Sequence, residues 1–557
     1  MGIFLNSTAP FEAYKITALD KYFVDKTMLI EELIPSIGRE QRFLCITRPR
    51  RFGKTVMANM VASYFGKAID SSFVFEHLAI AKSPVYEEYI NKYDVIYIDF
   101  SRLPENCQTY EEYINRIKTG IKEDLLEEFP ELELKEEMSL WDILAKIFQK
   151  TNRKFMFIMD EWDAVFHMPF ISQKERLQPK WLEPSFLGIC IKNLLKDQVY
   201  VELAYMTGIL PIAKYSAASE LNMFVEYNMA TRERFSSYFG FSEEEVDKLF
   251  QIYSETTIRP RITRHDLKIW YDGYCTASGE QLYNPRSIIC ALSDNQLGSY
   301  WTGSGPYDEI FYYIKGNIDE VREDFILMIS GEHIEAKVQE YAATAEELTT
   351  KNQIYSAMVI YGLLTYEDGE VFIPNRELMY KYNELLLTNE SLGYVYRLAK
   401  ESERMLKATL AGDTQTMAEI LEYAHNTESP ILSYNNEIEL SAIVNLVYLA
   451  ARDKYRVERE DKAGKGYVDF IFYPEKKNIS AIILELKVDA SPEEAIQQIK
   501  DKQYILRFKG KLAEKAKYTG EILLVGINYN KETKMHSCKI EKINRNLPQA
   551  KETPSVR

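Results

Sequence analysis

The sequence predicts a multidomain α/β protein, with one sheet near the N-terminus and a second near the C-terminus. The chain has 557 residues, which is too long for a single core because domains usually contain roughly 100–200 residues. Short apolar runs alternate with helical patterns in the first third of the chain and again near its end. This alternation is typical of strands buried between helices.

Four apolar runs predict the strands of the first sheet. They are residues 43–47, 94–100, 154–160 and 199–207, each bounded by polar or helical stretches. Buried parallel strands have this pattern, because helices cover both faces of such a sheet. We therefore expect a sheet with helices on both faces.

The middle of the chain changes to amphipathic helices. Ser242 is the expected N-cap of the first of them, and Glu245 closes a capping box. Residues 350–375 predict a helix followed by a hairpin that turns at Asp368 and Gly369. This combination suggests a winged-helix-like module.

The last part of the chain predicts a second α/β unit. Its expected elements are a helix near 436–452, strands at 467–473 and 480–488, a helix at 492–506 and a strand at 521–527. The predicted domains are therefore an α/β domain at 1–240, a helical lid at 241–345, a winged-helix-like segment with linker helices at 346–428, a second α/β domain at 429–547 and a tail at 548–557.

The charge is distributed unevenly. The whole chain carries −16, whereas residues 430–557 contain 23 Lys and Arg against 18 Asp and Glu, which gives +5 there and −21 in the preceding part. A basic end on an acidic body predicts that any contact with nucleic acid is made near the C-terminus. A chance excess of charge on a solvated surface remains the alternative. The 39 tyrosines are scattered, and we expect them to be packing groups rather than a stacking platform.

Several classes of protein are disfavoured. No run approaches the about 18 apolar residues needed to cross a bilayer, and the N-terminus lacks the pattern of a signal peptide. The six cysteines are far apart and form no Cys-x-x-Cys pair, which argues against a disulfide framework or a zinc site. We expect a cytoplasmic protein, and self-assembly stays open.

A candidate phosphate-binding loop follows the first predicted strand. Arg48-Pro-Arg-Arg-Phe-Gly-Lys-Thr55 joins that strand to a helix, so backbone N–H groups and the helix N-terminus can surround the phosphates of ATP. Lys54 is expected at the β- and γ-phosphates, and Thr55 at Mg²⁺. Arg48 stands where the motif has its first glycine. The expected nucleotide-binding residues of the loop are Arg50, Arg51, Phe52, Gly53, Lys54 and Thr55.

Adjacent acids end the third predicted strand. Asp160 is expected to hold the Mg²⁺ shell and Glu161 to orient the attacking water, although solvated acids at a strand end are the simpler alternative. Thr207 ends a later strand and is a candidate γ-phosphate sensor. Arg232 and Arg234 are candidates for an arginine finger.

Three charged residues occupy the predicted strands of the second α/β unit. Alternation puts Glu485 and Lys487 on one face, and antiparallel pairing would bring Asp469 towards them. Two carboxylates can hold Mg²⁺, and a nearby lysine can position or deprotonate water for phosphodiester cleavage. Charges at strand edges are the alternative.

The motifs together resemble a known family. Tyr22-Phe-Val-Asp-Lys-Thr27, Thr47–Thr55 and Met159-Asp-Glu-Trp-Asp163 look like the AAA-ATPase-like family, whose members typically carry a C-terminal PD-(D/E)XK nuclease-superfamily domain. Trp270-Tyr-Asp-Gly-Tyr274 and Tyr283-Asn-Pro285 fall where that family has its helical lid. The resemblance implies an AAA-like P-loop NTPase domain, a restriction-endonuclease-like end domain and an arginine-rich loop without the first glycine.

The resemblance also extends the C-terminal site. It implies a further metal-facing carboxylate at Glu437, with Glu439 as the competing choice, and a helix glutamine at Gln498 beside the site. Gly464-Lys-Gly466 resembles the family's approach to the strand acid.

The leading hypothesis is a protein that binds and hydrolyses ATP and carries a Mg²⁺-dependent nuclease domain, acting as an ATP-regulated DNA endonuclease or exonuclease. One alternative is a nucleotide-controlled signalling or DNA-binding switch whose end domain binds without cutting. The other is a motor that remodels nucleic acid.

Overall fold

The computed structural model describes most of the chain as two compact units. The described residues are 2–167, 185–212, 221–230, 232, 234–301, 319–338, 350–388, 390, 394–426, 437–463, 466–474, 479–508 and 520–543. The first unit comprises Met1–Tyr313 and Glu335–Leu378, and the second Ile314–Ile334 and Met379–Arg557. The finer domain boundaries expected from the sequence remain predictions, and the predicted tail at 548–557 lies outside the described residues.

The helices of the first unit are α1 (Ala9–Ala18), α2 (Met28–Leu33), α3 (Lys54–Phe65), α4 (Ser72–Phe75), α5 (Tyr86–Tyr89), α6 (Tyr110–Glu128), α7 (Leu140–Thr151), α8 (Ser185–Leu195), α9 (Glu243–Thr256), α10 (Arg264–Tyr271) and α11 (Pro285–Asp294). Further along the chain are α12 (Asp319–Ile329), α13 (Lys351–Ile360), α14 (Arg376–Thr388), α15 (Tyr394–Ala411), α16 (Thr414–Asn426), α17 (Glu437–Val447) and α18 (Pro492–Asp501). Short 3₁₀ helices occur at Ile34–Ser36, Ala79–Lys82, Pro130–Leu132, Ala164–His167, Ser236–Tyr238, Leu449–Asp453 and Tyr504–Phe508.

The strands are β1 (Phe43–Thr47), β2 (Asp94–Asp99), β3 (Phe155–Asp160), β4 (Val201–Gly208), β5 (Val225–Tyr227), β6 (Tyr274–Cys275), β7 (Gln281–Leu282), β8 (Ile334–Glu335), β9 (Thr365–Glu367) and β10 (Glu370–Phe372). The second unit contains β11 (Tyr455–Ala463), β12 (Gly466–Pro474), β13 (Ala481–Val488), β14 (Ile522–Asn530) and β15 (Met535–Ile543).

The first sheet is parallel and has the strand order β2-β3-β4-β1-β5. Strands β1 to β4 correspond to the four apolar runs in the sequence, and each is buried along nearly its whole length. Because all the strands run the same way, the ends of β1, β3 and β4 meet at one edge. Strand β1 precedes the predicted phosphate-binding loop, and β3 ends in Asp160. Only β4 separates these two strands in the sheet.

Helix α3 covers this sheet directly below the loop. Its residues Met57, Ala58 and Val61 share one buried apolar cluster with Leu44 of β1 and Ile158 of β3. Burying these side chains fixes the start of the helix against the sheet, at a gain of about 1.5–3 kcal/mol for each large one.

A smaller helical core follows the sheet. Helices α9, α10 and α11 enclose Val246, Leu249, Leu267, Tyr271 and Ile288. Both α9 and α10 start with capping boxes, and that of α9 joins the predicted pair Ser242 and Glu245.

The helix and hairpin expected at 350–375 are present as α13, β9 and β10. Asp368 (φ 48°) and Gly369 (φ 92°) form the turn between the two strands. Positive φ at both central residues is what a two-residue hairpin turn requires.

The second unit contains a mixed sheet with the order β11-β12-β13-β14-β15. Strands β13 and β14 are parallel, and the other pairs are antiparallel. Helix α18 packs Ile496 and Ile499 against Ile483 and Leu524 of the sheet. Gly526 allows this approach, since a Cβ there would lie 2.2 Å from the carbonyl oxygen of Pro492.

Within the described ranges, no helix is both long and apolar enough to cross a membrane.

Candidate functional sites

The first candidate site is the loop between β1 and α3. Gly53 caps the helix at φ 89°, and Arg51 also has a positive φ of 69°. These two left-handed residues turn the chain sharply before the helix begins at Lys54. The first N–H groups of any helix lack partners within the helix, so the start of α3 offers donors to an anion.

Lys54 is held inside this loop. Its side chain is 5% exposed, and Nζ donates to the carbonyl oxygens of Arg48 at 2.9 Å and Pro49 at 3.0 Å. Burial lowers the pKa of Lys54, while the carboxylates of Glu161, Asp163 and Asp160 act in the opposite direction. A bound phosphate would add negative charge at this ammonium and so favour its charged form.

Arg48 takes the place of the glycine that the loop motif normally has, but its side chain points away from the cleft. Its Nη1 donates to the carbonyl oxygens of Thr47 at 2.7 Å and Tyr227 at 2.9 Å, and Nη2 donates to Ser236 Oγ at 3.2 Å. The guanidinium also lies 5.1 Å from the ring centroid of Phe239. The Arg48 side chain therefore links the loop to β5 and does not occupy the space above the loop where phosphates are expected.

Asp160 and Glu161 end β3 at the same edge of the sheet. Asp160 is 1% exposed, and Thr207 of β4 donates a short hydrogen bond to its Oδ1. Burial raises the pKa of Asp160, whereas hydrogen bonds from Thr207 and Thr55 oppose that shift. Thr55, the second residue of α3, thus meets the predicted metal-binding acid.

Glu161 adopts a backbone conformation that is uncommon for a residue other than glycine. Its φ is 50°, and its N–H donates to Thr207 Oγ1 at 3.4 Å. Burial raises the pKa of Glu161, and the ammonium of Lys54 opposes this. The turn after β3 aims the Glu161 side chain into the cleft, and Thr207 organises both acids.

Asp163 belongs to the same sequence motif, but no role was predicted for it. Its Oδ2 accepts hydrogen bonds from the N–H groups of Ile209 at 2.9 Å and Leu210 at 2.8 Å. Gly208 makes room for this turn, because a Cβ there would lie 2.4 Å from the Trp162 ring. Asp163 therefore fixes the chain that leaves β4.

A cleft of about 730 Å³ lies above the loop, within the roughly 300–1,000 Å³ of typical small-molecule sites. Lys54, Thr55 and Glu161 line one side, and Arg286 and Ile289 of α11 line the other. Sequence reasoning missed Arg286, although it directly follows the Tyr283-Asn-Pro285 motif.

Residues of the helical region that contains α11 also form hydrogen bonds with the loop. The carbonyl oxygen of Arg50 accepts from Trp301 Nε1 at 2.8 Å and from Asn284 Nδ2 at 3.4 Å. Glu377, which is 2% exposed, in turn accepts from the Trp301 N–H at 2.6 Å and from Ser287 Oγ at 2.7 Å. A change in the loop backbone would therefore alter the hydrogen bonds at the start of α11.

Some of the other residues predicted for this site line the cleft and others do not. Arg50 and Arg51 line the cleft, whereas the Phe52 ring is buried and packs edge-on against Tyr274 at 5.0 Å. Arg234 lies 3.7 Å from Glu32. Neither it nor the exposed Arg232 is among the residues that line the cleft.

The second candidate site lies where β12 and β13 separate. The pairing runs from Phe472↔Ile482 to Phe470↔Leu484, and one further step of this antiparallel register sets Asp469 opposite Glu485. There the carboxylate of Asp469 accepts the Leu486 N–H at 2.7 Å. As expected from alternation, Glu485 and Lys487 share this face.

Neighbouring side chains complete this second site. Lys487 Nζ lies 3.5 Å from Glu485 Oε1 and 3.7 Å from Glu437 Oε1, and it donates to the Leu486 carbonyl at 2.8 Å. Gln498 of α18 donates a short hydrogen bond to Glu485 Oε1. The structure therefore brings Glu437 and Gln498 beside the strand residues, while the partly buried Glu439 has no such contact with Lys487 among the ion pairs of the described residues. Residues 464 and 465 of the Gly464-Lys-Gly466 segment lie outside those residues.

The charge balance of this site favours a cation. Burial raises the pKa of Asp469 to about 6 and the pKa of Glu485 to about 8, and the Asp469 charge adds to the second shift. Glu485 Oε2 is buried and accepts no hydrogen bond in the described structure. Two carboxylates and an unused buried oxygen fit a divalent cation with oxygen ligands. No group of three or more potential metal-binding side chains is found in the part of the chain that the structure describes.

Tyr504 was not predicted as part of the site. Its hydroxyl donates a short hydrogen bond to the Tyr467 carbonyl, and it also bonds with the Gln498 side chain. Burial raises the pKa of Tyr504, and the charges of Glu485 and Asp469 add to this shift. Its only sequence signal was its position six residues after Gln498 in the helix predicted at 492–506.

Comparison with known families gives two matches. Residues 11–218 match the family model described as predicted AAA-ATPase, and residues 439–538 match that of the PD-(D/E)XK nuclease superfamily. No curated protein matches the sequence.

Proposed function

Since the chain carries an AAA-ATPase-like domain and a C-terminal PD-(D/E)XK nuclease-superfamily domain, we propose that it is an ATP-hydrolysing protein whose end domain cleaves DNA under the control of ATP. The observation that carries this proposal is the group formed by Asp469, Glu485 and Lys487, because a buried acid pair beside a lysine suits hydrolysis of a phosphodiester.

In the first unit, the loop residues bind ATP. Lys54 exchanges its loop carbonyl partners for the β- and γ-phosphates, and the first N–H groups of α3 bind the phosphate oxygens. Asp160 and Thr55 hold Mg²⁺. Glu161 orients a water molecule towards the γ-phosphate, and its raised pKa suits it to take up a proton.

In the second unit, Asp469 and Glu485 hold Mg²⁺, with Glu437 at the rim. When bound, the cation polarises the phosphate and lowers the pKa of a water molecule. Lys487 would orient the attacking water by donating a hydrogen bond to it, and Gln498 keeps Glu485 in position through its hydrogen bond. The excess of basic residues at 430–557 supports a DNA partner there.

The test is a cleavage assay with Mg²⁺ or Mn²⁺ on linear, circular and single-stranded DNA, with and without ATP. We expect Asp469→Asn and Lys487→Ala to lose at least about 100-fold in cleavage rate and to keep ATP hydrolysis. Lys539→Ala is the matched control, since Lys539 is 40% exposed and pairs only with Glu493 among the ion pairs of the described residues. Cleavage by Asp469→Asn at the parental rate would remove the nuclease half of the proposal.

The ATPase half has its own variant. Glu161→Gln should bind ATP with nearly unchanged affinity and hydrolyse it roughly 100- to 10,000-fold more slowly, because the water loses its base. ATP affinity and phosphate release measure the two effects separately. Normal phosphate release by this variant would contradict the role of Glu161.

A second candidate function is a nucleotide-controlled switch whose end domain binds DNA without cutting. It is favoured by the hydrogen bonds of Trp301 and Asn284 to the Arg50 carbonyl oxygen, which link the helical region to the phosphate-binding loop. DNA binding without cleavage under any divalent metal would support it.

A further inference from the structure

One tyrosine of the second unit differs from the rest. The tyrosine side chains that the structure describes are mostly buried or half-buried, but Tyr467 is 65% exposed and is the most exposed among them. It lies on β12 two residues before Asp469, about 7 Å along the strand. Alternation puts both side chains on the same face of the sheet.

The backbone beneath this ring is fixed to the acid site. The Tyr504 hydroxyl donates to the Tyr467 carbonyl and also bonds with the Gln498 side chain. Gln498 in turn donates to Glu485. A chain of hydrogen bonds thus sets the position of the Tyr467 backbone relative to the carboxylate that faces the candidate metal.

The backbone pairing of β12 with β13 ends before it reaches Tyr467. On one side β12 pairs with β11 through Lys462↔Tyr467. On the other side its backbone pairing with β13 ends at Phe470↔Leu484, and Asp469 reaches Leu486 with its side chain instead. Tyr467 therefore lies just beyond the end of the β12–β13 pairing, where Asp469 is opposite Glu485.

We propose that Tyr467 is a stacking platform for an unpaired nucleobase, and that the preferred substrate of the site is single-stranded DNA. This inference rests on the proposed nuclease function and names its substrate class. An exposed aromatic ring on its own is ordinary. This one lies beside a phosphodiester-hydrolysing group and on a fixed backbone, so a base can stack on it while its own phosphate reaches the acids.

Stacking selects single strands for a geometric reason. The face of a base is free only when the base is unpaired, flipped out or at an end, whereas bases inside a duplex are covered on both faces. The contact is insensitive to sequence because every base has such a face. Removing it is expected to weaken binding of single strands roughly 5- to 150-fold, the range typical of one base–aromatic stack.

The experiment uses the full chain and a single-stranded oligonucleotide that contains 2-aminopurine, in EDTA so that no cleavage occurs. Stacking on a ring quenches the fluorescence of this base. We expect quenching with the parent and with Tyr467→Trp, and loss of quenching with weaker binding for Tyr467→Ala. Tyr423→Ala, which removes another exposed tyrosine (42%) of the same unit, should behave like the parent.

The outcomes separate this inference from the proposed function. Parental binding and quenching by Tyr467→Ala would overturn the stacking role, as would an equal loss of affinity for blunt duplex DNA. If quenching depends on Tyr467 but no variant cleaves DNA with Mg²⁺ or Mn²⁺, the stacking role stands and the nuclease activity fails. Because the Tyr467 ring is exposed, its removal should leave the thermal midpoint unchanged, which checks the folding of the variant.

Discussion

At the scale of single residues, both candidate sites depend on charged groups that are unusually deeply buried. Lys54, Asp160 and Glu485 are 5%, 1% and 2% exposed. An isolated buried charge is costly, and it persists only when partners or a ligand compensate. Each of these groups has a partner in the structure. Lys54 uses two of its three N–H donors on loop carbonyls, and Glu485 Oε2 accepts no hydrogen bond in the described structure, so both can still bind a ligand.

Arg48 is the one departure of the loop from the phosphate-binding motif, because an arginine stands where glycine is usual. The sequence alone does not show whether this arginine disturbs the loop. In the structure its side chain is buried under the loop and bonds with Tyr227 and Ser236. The substitution therefore changes the support of the loop, while Gly53 still supplies the left-handed turn at the helix start.

The raised pKa values of Asp469 and Glu485 predict how metal binding responds to pH. A metal ion binds the ionised carboxylates, so protons compete with it. With pKa values raised to about 6 and about 8, affinity for Mg²⁺ or Mn²⁺ should increase from pH 6 to pH 8 and level off above that. Calorimetric titration at several pH values, in buffers of different ionisation heat, measures both the affinity and the released protons.

Glu485→Gln is the comparison for this measurement. It keeps the shape of the side chain but removes the group that titrates near pH 8, so the affinity should be lower and its increase above pH 6 should largely disappear. An affinity that stays flat between pH 6 and pH 8 in the parent would contradict the assignment of these carboxylates as ligands.

At the scale of elements, the start of α11 connects the helical region to the phosphate-binding loop. Asn284 caps this helix by accepting the Ser287 N–H at 3.3 Å, and its amide donates to the Arg50 carbonyl. The same side chain therefore stabilises a helix and contacts the loop. A variant at this position should affect both stability and nucleotide binding.

We predict that Asn284→Ala lowers the free energy of unfolding by about 1 kcal/mol, the usual cost of losing an N-cap, and weakens ATP binding several-fold. Thr263→Ala is the control. Thr263 caps α10 by accepting the Asp266 N–H at 3.1 Å and does not line the cleft. It should cost a similar free energy without changing ATP affinity. Equal effects of both variants on ATP binding would refute a specific link through Asn284.

The strands differ in how well the sequence predicted them. The runs at β1 to β4 were found because central parallel strands are apolar throughout, and β12 to β14 were found because they are the central, largely apolar strands of the mixed sheet. Strands β5, β11 and β15 were missed. β5 has only three residues, all half-buried, and β11 and β15 are edge strands rich in charged residues, whose polar pattern resembles a loop.

At the scale of the whole molecule, the two candidate sites lie in separate compact units. The residues around Lys54 and Asp160 belong to the first unit, and those around Asp469 and Glu485 to the second. Each site is therefore complete within its own unit, which is why single variants are expected to separate ATP hydrolysis from DNA cleavage.

The uneven charge of the chain predicts a salt-dependent contact with DNA. Residues 430–557 carry +5 in a protein of −16, so non-specific attraction should arise within this segment and release counterions on binding. The Kd for DNA should increase at least about tenfold between 50 and 200 mM KCl, as expected for a few phosphate contacts. Fluorescence anisotropy with labelled DNA measures this, with ATP hydrolysis at each salt concentration as the check that the protein is intact. A Kd independent of salt would argue against this charge-driven contact.

Local pattern was enough to predict the α/β class, the central strands, the loop that joins β1 to α3, and acids at strand positions 160, 161, 469 and 485. These features are local, since an apolar period, a cap or a short motif lies in consecutive residues. The folded chain shows in addition that Arg48 is buried and bonds with β5, that Arg286 and Trp301 reach the loop region, and that Tyr467 is exposed two residues before Asp469. Such relations join residues far apart in the chain, so they depend on strand order, register and helix packing, which local pattern does not specify.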